Sequence, residues 1–237
     1  MDEKCIAGQK LLSLAQPYLR RDDRAGLAAA ISGAWNAECL ALLLDEEEVD
    51  SEVLRVAAIC IGLVGEMDVC PVLMPLLHLQ DDPAVVSAVE DALWSIWFRA
   101  GGPVAQRVLM RITEHIDRKE TENAVEMLTE LIRSHPGYAE AYHQRSQVHY
   151  LEGRLDAALR DARRACQLNP CHFGALAVVA NCYSDLGRYQ EALKTYRAVL
   201  DLHPHMPGIK STLRHLRSRI SPADQPATPL TLVVDPE

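Results

Sequence analysis

The chain has 237 residues, 49% of them apolar and 24% charged, with a formal net charge of −9. That balance belongs to an ordinary globular protein, and the acidic total argues against nucleic-acid binding, which needs Lys and Arg in excess on one face. Only two Phe occur among many Ala, Leu and Arg, a mix that favours helix over sheet.

The first hundred residues carry 7 basic and 17 acidic side chains, whereas residues 101–220 carry 17 and 13. An acidic half joined to a mildly basic one predicts either two surfaces of different electrostatic character or solvated faces that differ by chance. The start MDEKCIAGQKLLSLAQPYLRR lacks the positive start of a secretory leader, and no apolar stretch reaches membrane-spanning length. Cys5, Cys39, Cys60, Cys70, Cys166, Cys171 and Cys182 form an odd set without Cys-x-x-Cys spacing. They read as buried small hydrophobes in a reducing cytoplasm, not as disulfides or metal ligands.

In chain order, a first degenerate helical unit is expected over residues 24–44. The segment VLRVAAICIGLVG (Val53–Gly65) then returns as VVSAVEDALWSIW (Val85–Trp97), 32 residues later. Each follows a Leu-rich stretch and an acidic turn, and Asp50 or Ser51, and Asp82 with Pro83, are helix-start signals. This pattern resembles HEAT repeats, which implies antiparallel helix pairs. Trp94 and Trp97, three residues apart, share a helix face with Val86, Val89 and Leu93 and are expected in the core. Gly101-Gly102-Pro103 is a sharp turn. The helix after it, Pro103–Asp117, is expected to serve both the last HEAT-like pair and the next array, giving one continuous solenoid.

Pro136, Pro170 and Pro204 stand 34 residues apart, each ending an amphipathic stretch: ENAVEMLTELIRSHP, DAALRDARRACQLNP and QEALKTYRAVLDLHP. Residues 173–206 add Tyr183, Gly187, Ala192 and Tyr196; residues 139–172 add Tyr142, Ser146, Gly153, Ala158 and Ala165. This combination resembles the tetratricopeptide repeat. The second unit departs from the pattern at Arg145, His149 and Ala162, and a weaker unit over 105–136 carries Lys119 where the turn Gly belongs. Residues 207–219 form a capping helix with Lys210, Arg214 and Arg217 on one side and Ile209, Leu213, Leu216 and Ile220 on the other.

The expected fold is therefore an all-α solenoid of antiparallel helix pairs. HEAT-like repeats occupy 1–103, tetratricopeptide repeats with the capping helix 104–220, and a disordered tail 221–237. The tail's LTLVV run (Leu230–Val234) reads as a partner-binding hook or as an unremarkable terminus.

No catalytic constellation is legible. Gly-rich phosphate loops, Gly-x-Ser-x-Gly and His-Glu-x-x-His are missing, and the repeated His-Glu of HEAT-type hydroxylases is represented only by the reversed Glu114-His115. His203-Pro204-His205 and the set Cys166, Cys171, His172 and Cys182 are read as structural, so no metal and no cofactor are expected.

The resemblance to tetratricopeptide arrays implies a concave groove lined by the first helix of each pair. Its candidates are His143, Gln144, Gln147 and Tyr150, then Ala177, Val178, Asn181 and Ser184, with ordinary exposed polar positions as the alternative. Modules that clamp chaperone C-terminal carboxylates use cations on these helices. Leu109, His143 and Ala177 supply none, which excludes that ligand class. The basic stripe Arg160, Arg163 and Arg164 would steer an acidic partner or merely solubilise. The expected function is a non-enzymatic adaptor or scaffold binding a peptide or folded protein. The alternatives are a client chaperone of a secretion or assembly system and, further off, a HEAT-type enzyme or its regulatory subunit.

Overall fold

A computed structural model describes residues 3–44, 49–79 and 82–219, with side chains from residue 6 onward. Thirteen α-helices and no strand occur among the described residues. The N-terminal helices are α1 (Glu3–Leu19), α2 (Arg24–Ala34), α3 (Ala37–Ala41), α4 (Ser51–Val64), α5 (Cys70–Leu73) and α6 (Pro83–Arg99). They are followed by α7 (Gly102–Asp117), α8 (Thr121–Ser134), α9 (Ala139–Leu151), α10 (Leu155–Leu168), α11 (Phe173–Asp185), α12 (Tyr189–Leu202) and α13 (Ile209–Arg219). None is long and apolar enough to cross a membrane. The tail and its LTLVV run lie outside the described residues.

Helix starts follow from side chains that accept orphan backbone N–H groups. Asp23 caps Gly26 at 2.8 Å, Asn36 caps Cys39 at 2.7 Å, Asp50 caps Glu52 at 2.7 Å and Asp82 caps Val85 at 3.0 Å. α4 and α6, the two copies of the 32-residue repetition, pack directly together. A Cβ on Gly62 would lie 2.8 Å from the Ala92 backbone, so this crossing needs glycine. Arg99 ties the end of α6 to that of α4, donating to the carbonyls of Gly62 (2.6 Å) and Gly65 (2.8 Å). The Leu-rich partners are short, however. α3 has five residues, and α5 has four between 3₁₀ turns at Met67–Val69 and Met74–His78. Pro71 and Pro75 remove backbone donors there, so no full first helix precedes α6.

From α7 onward the chain repeats one design. Lys119, Gly153 and Gly187, 34 residues apart, all take positive φ (61°, 70° and 73°). The next residue in each case bonds back to a carbonyl five residues earlier: Glu120 to His115, Arg154 to His149, Arg188 to Tyr183. These are Schellman closures, which end one helix and reverse the chain. The second turn is equally regular. His135, Asn169 and His203, each before a Pro, share extended backbone near φ −135°. Ala124, Ala158 and Ala192 are fully buried at the helix crossings, where a larger side chain would hold the helices apart. Ile209, Leu213 and Leu216 seat α13 on the end of the array.

One difference from the sequence reading is architectural. The N-terminal helices do not simply continue the stack through α7. Phe173 is buried within their core, and Cys171, Leu202 and Met206 pack against it. The Tyr138 hydroxyl reaches back to the Phe98 carbonyl at 2.5 Å, and a Cβ on Gly101 would meet the Tyr138 ring at 2.7 Å. Tyr138, His172 and Met206 occupy equivalent places 34 residues apart, directly after the Pro turns. These turns run along α6, so the N-terminal helices lie against one edge of the array.

Candidate binding groove

The groove candidates sit on α9 and α11. The last turns of these helices are open: Gln147 and Leu151 are exposed, while Tyr150, Asn181 and Ser184 are half-buried. Leu151 and Leu186 are among the most exposed large apolar residues. Part of the polar capacity is spent internally. Gln144 donates to Glu140 at 2.7 Å, and the Tyr150 hydroxyl donates to Asp185 at 2.7 Å. Burial, helped by that carboxylate, raises the Tyr150 phenol well above its ordinary value. The Asn181 carbonyl accepts the hydroxyl of the buried Tyr196.

Two candidates must be corrected. His143 is 1% exposed and Val178 6%, so neither presents a side chain to a ligand. Ala177 is buried as well. For Val178 the cause is the core around α11 and α12. For His143 it is α6, because Trp94 stacks on the imidazole with ring centroids 5.7 Å apart. The first turns of α9 and α11 are thereby covered.

Beneath Trp94 lies a polar cluster that sequence reasoning missed. Glu140, His143 and His172 are each 2% exposed or less. His172 Nε2 lies 2.9 Å from a Glu140 oxygen, and His172 Nδ1 accepts the Ala175 N–H at 3.2 Å as the cap of α11. Together these bonds place the single proton of His172 on Nε2. Trp97 stacks on His172 at 4.5 Å, and Phe173 packs edge-on against both tryptophans. Burial lowers His143 and His172 to about 3, with the neighbouring His172 adding to the shift of His143. Burial raises the Glu140 carboxyl, against the pull of His143 and the Gln144 amide. His143 Nδ1 has no hydrogen-bond partner. The signal in the sequence was Gly174, a glycine in the first turn of a helix: a Cβ there would stand 2.5 Å from the Trp94 ring.

One donor atom from each of Glu140, His143 and His172 lies within 4.8 Å of the others, a spacing that could hold a metal ion. The hydrogen bonds oppose it. Ligation through Nε2 would put the His172 proton on Nδ1, facing the Ala175 N–H, so the helix cap would break. The cluster is better described as a hydrogen-bonded one. The other sets considered from sequence do not converge either. His203 is buried with Nε2 3.2 Å from Glu90, whereas His205 is exposed. Cys166 and Cys182 are free thiols that burial pushes up to about 11. In the basic stripe, Arg163 is engaged with the Tyr183 ring and hydroxyl.

The geometry from α7 to α13 defines a helical-repeat protein carrying tetratricopeptide units. Consistent with this, residues 117–199 match the family described as anaphase-promoting complex, cyclosome, subunit 3. A TPR repeat-containing protein of Rhizobium etli is 27% identical over 128 residues, 54% of this chain and 63% of that protein. The SGT1 homolog of Bos taurus is 31% identical over 99 residues, 41% of this chain and 29% of that protein. The chain thus spans less than two thirds of the length of these relatives. Among solved structures, the first TPR of Spaghetti (RPAP3) bound to the HSP90 peptide SRMEEVD is similar, at 19% identity and a TM-score of 0.47. That likeness covers 48% of this chain and 91% of the other. The presence of a chaperone peptide in that complex stands against excluding such ligands, and the exclusion is not kept.

Proposed function

We propose that this protein is a non-enzymatic adaptor that holds a peptide segment or a folded partner's surface on the open last turns of α9 and α11. The observation that carries the reading is the strip formed by Gln147, Tyr150, Asn181 and Ser184 beside the exposed Leu151 and Leu186. Amides and hydroxyls there suit a peptide backbone, which both donates and accepts, and the leucines supply apolar contact. The same proposal includes an N-terminal, HEAT-like unit up to about residue 103, supported by the packing of its two sequence copies, α4 and α6. It includes a cytoplasmic setting, with which the free, buried thiols agree.

The test is site-specific photo-crosslinking from Gln147 in cells of the source organism, with the exposed Arg160 on α10 as the control. One partner captured from position 147 and not from position 160 supports the groove. Equal capture from both positions refutes it. A single partner in stoichiometric amount selects a client chaperone, and several substoichiometric partners select an adaptor. Competition by a chaperone C-terminal peptide would identify that ligand class.

A further inference from the structure

The boundary between the N-terminal helices and the repeats runs through ionisable groups. Two of the three buried cores, around α7–α9 and α10–α13, are made almost entirely by the repeats; the third belongs to the N-terminal helices and takes in Phe173. Where they meet, Trp94 and Trp97 of α6 roof Glu140, His143 and His172. We propose that this junction is a proton-sensitive cover: protonation of its imidazoles releases α6 from the first turns of α9 and α11 while the repeats stay folded.

The argument is one of charge and hydrogen bonds. On α6, Trp94 and Trp97 are uncharged and Glu90 lies beside His203. α9 brings Glu140, His143 and the neutral Gln144, and the turn before α11 brings Asn169, Cys171 and His172. From α5, Cys70 faces Trp97 as a thiol that burial pushes up to about 11. Glu140 is therefore the one carboxylate against two imidazoles. It can balance one added proton but not two. His172 uses both nitrogens, so a second proton breaks its bond to Ala175, and His143 Nδ1 has no acceptor to receive one.

The sign follows from burial. Both imidazoles sit at about 3 in the closed form and return to about 6.5 once solvated. Groups depressed by folding leave the closed form at full strength above about 6.5 and weaken it as pH falls from there towards 3. Each proton taken up raises the opening constant roughly tenfold per pH unit. Burial favours a proton on Glu140 in the closed form, and any such proton is given back on opening, so the net uptake lies between one and two. What is uncovered (Glu140, His143 and Gly174) matters to binding only if the groove reading holds. The release itself is measured without a ligand.

The experiment uses the full chain with Trp35→Phe, leaving Trp94 and Trp97 as reporters, between pH 7.5 and 4.0. Acrylamide quenching reads the cover and far-UV circular dichroism reads the helices. Quenching should rise before helix content falls, with the opening constant increasing at least about tenfold per pH unit. His143→Gln should lower the midpoint and remove about one proton from the slope. Should that variant not fold, ring-proton NMR of the otherwise unaltered histidines serves instead. His143 and His172 should stay unprotonated until quenching begins. Quenching and helix loss that coincide at every pH, or either imidazole titrating near 6.5 with the tryptophans still shielded, would overturn the proposal. The crosslinking result at Gln147 is independent of both outcomes.

Discussion

Gly174→Ala probes the contact that seals the groove. The added methyl would lie 2.5 Å from the tip of the Trp94 ring and 3.1 Å from its neighbouring atom, where ordinary contact begins near 3.4 Å. The ring has little room to swing, with His143 stacked at 5.7 Å and His172, Phe173 and Trp97 edge-on at 5.2–5.4 Å. Overpacking of this kind costs roughly 1–3 kcal/mol. Replacing a helical Gly by Ala returns at most about 1 kcal/mol, less in a first turn. The net expectation is a loss of about 1–2 kcal/mol, or a fall in Tm of roughly 2–8 °C for a chain of this size. Urea denaturation followed by circular dichroism measures it, and Trp94→Phe supplies the second edge of a double-mutant cycle. Shortening the ring removes the atoms the methyl strikes, so the double variant should lose less than the sum of the singles by about 0.5–3 kcal/mol. A stabilised Gly174→Ala, or strict additivity, would mean that Trp94 does not rest on α11.

Two further substitutions test the repeats themselves. Lys119 holds a left-handed turn that Gly153 and Gly187 hold without a side chain, a conformation that costs a non-glycine residue about 1–2 kcal/mol. Lys119→Gly should therefore stabilise the protein by about 1 kcal/mol in thermal unfolding, and a lower Tm would count against the turn. Arg145 donates to both oxygens of Asp161 (2.7 and 2.8 Å) and to Thr129 (3.1 Å), so Arg145→Met strands a carboxylate between α9 and α10. The expected cost is about 2–4 kcal/mol in denaturant titration, largely recovered in Arg145→Met/Asp161→Leu. An unrecovered double variant would show that the pair does more than satisfy itself.

What could be read from the chain follows the range of each interaction. The Pro and Gly marks 34 residues apart act on their own backbone, so spacing alone exposed α8–α12 and the turns between them. Even Lys119 was visible as the missing glycine. Arg145, His149 and Ala162 stood out as departures from the repeat, but their reason lies across a helix pair. Arg145 forks onto Asp161, and His149 comes within 3.8 Å of the same carboxylate, so a polar bridge replaces bulky packing. The cluster is longer-range still. Trp94 and Trp97 were correctly sent to a core by their spacing, but that core is completed by His172 and Phe173, more than seventy residues on. Helical periodicity marks which face of α6 is buried and says nothing about its partner. His143 was assigned to the groove from its place on α9, and it does lie there. It is hidden because α6 reached that face first. The useful length of the groove is therefore set by the N-terminal helices as much as by the repeats: a ligand meets Gln147, Tyr150 and Ser184 freely, and reaches Glu140 only where Trp94 has left.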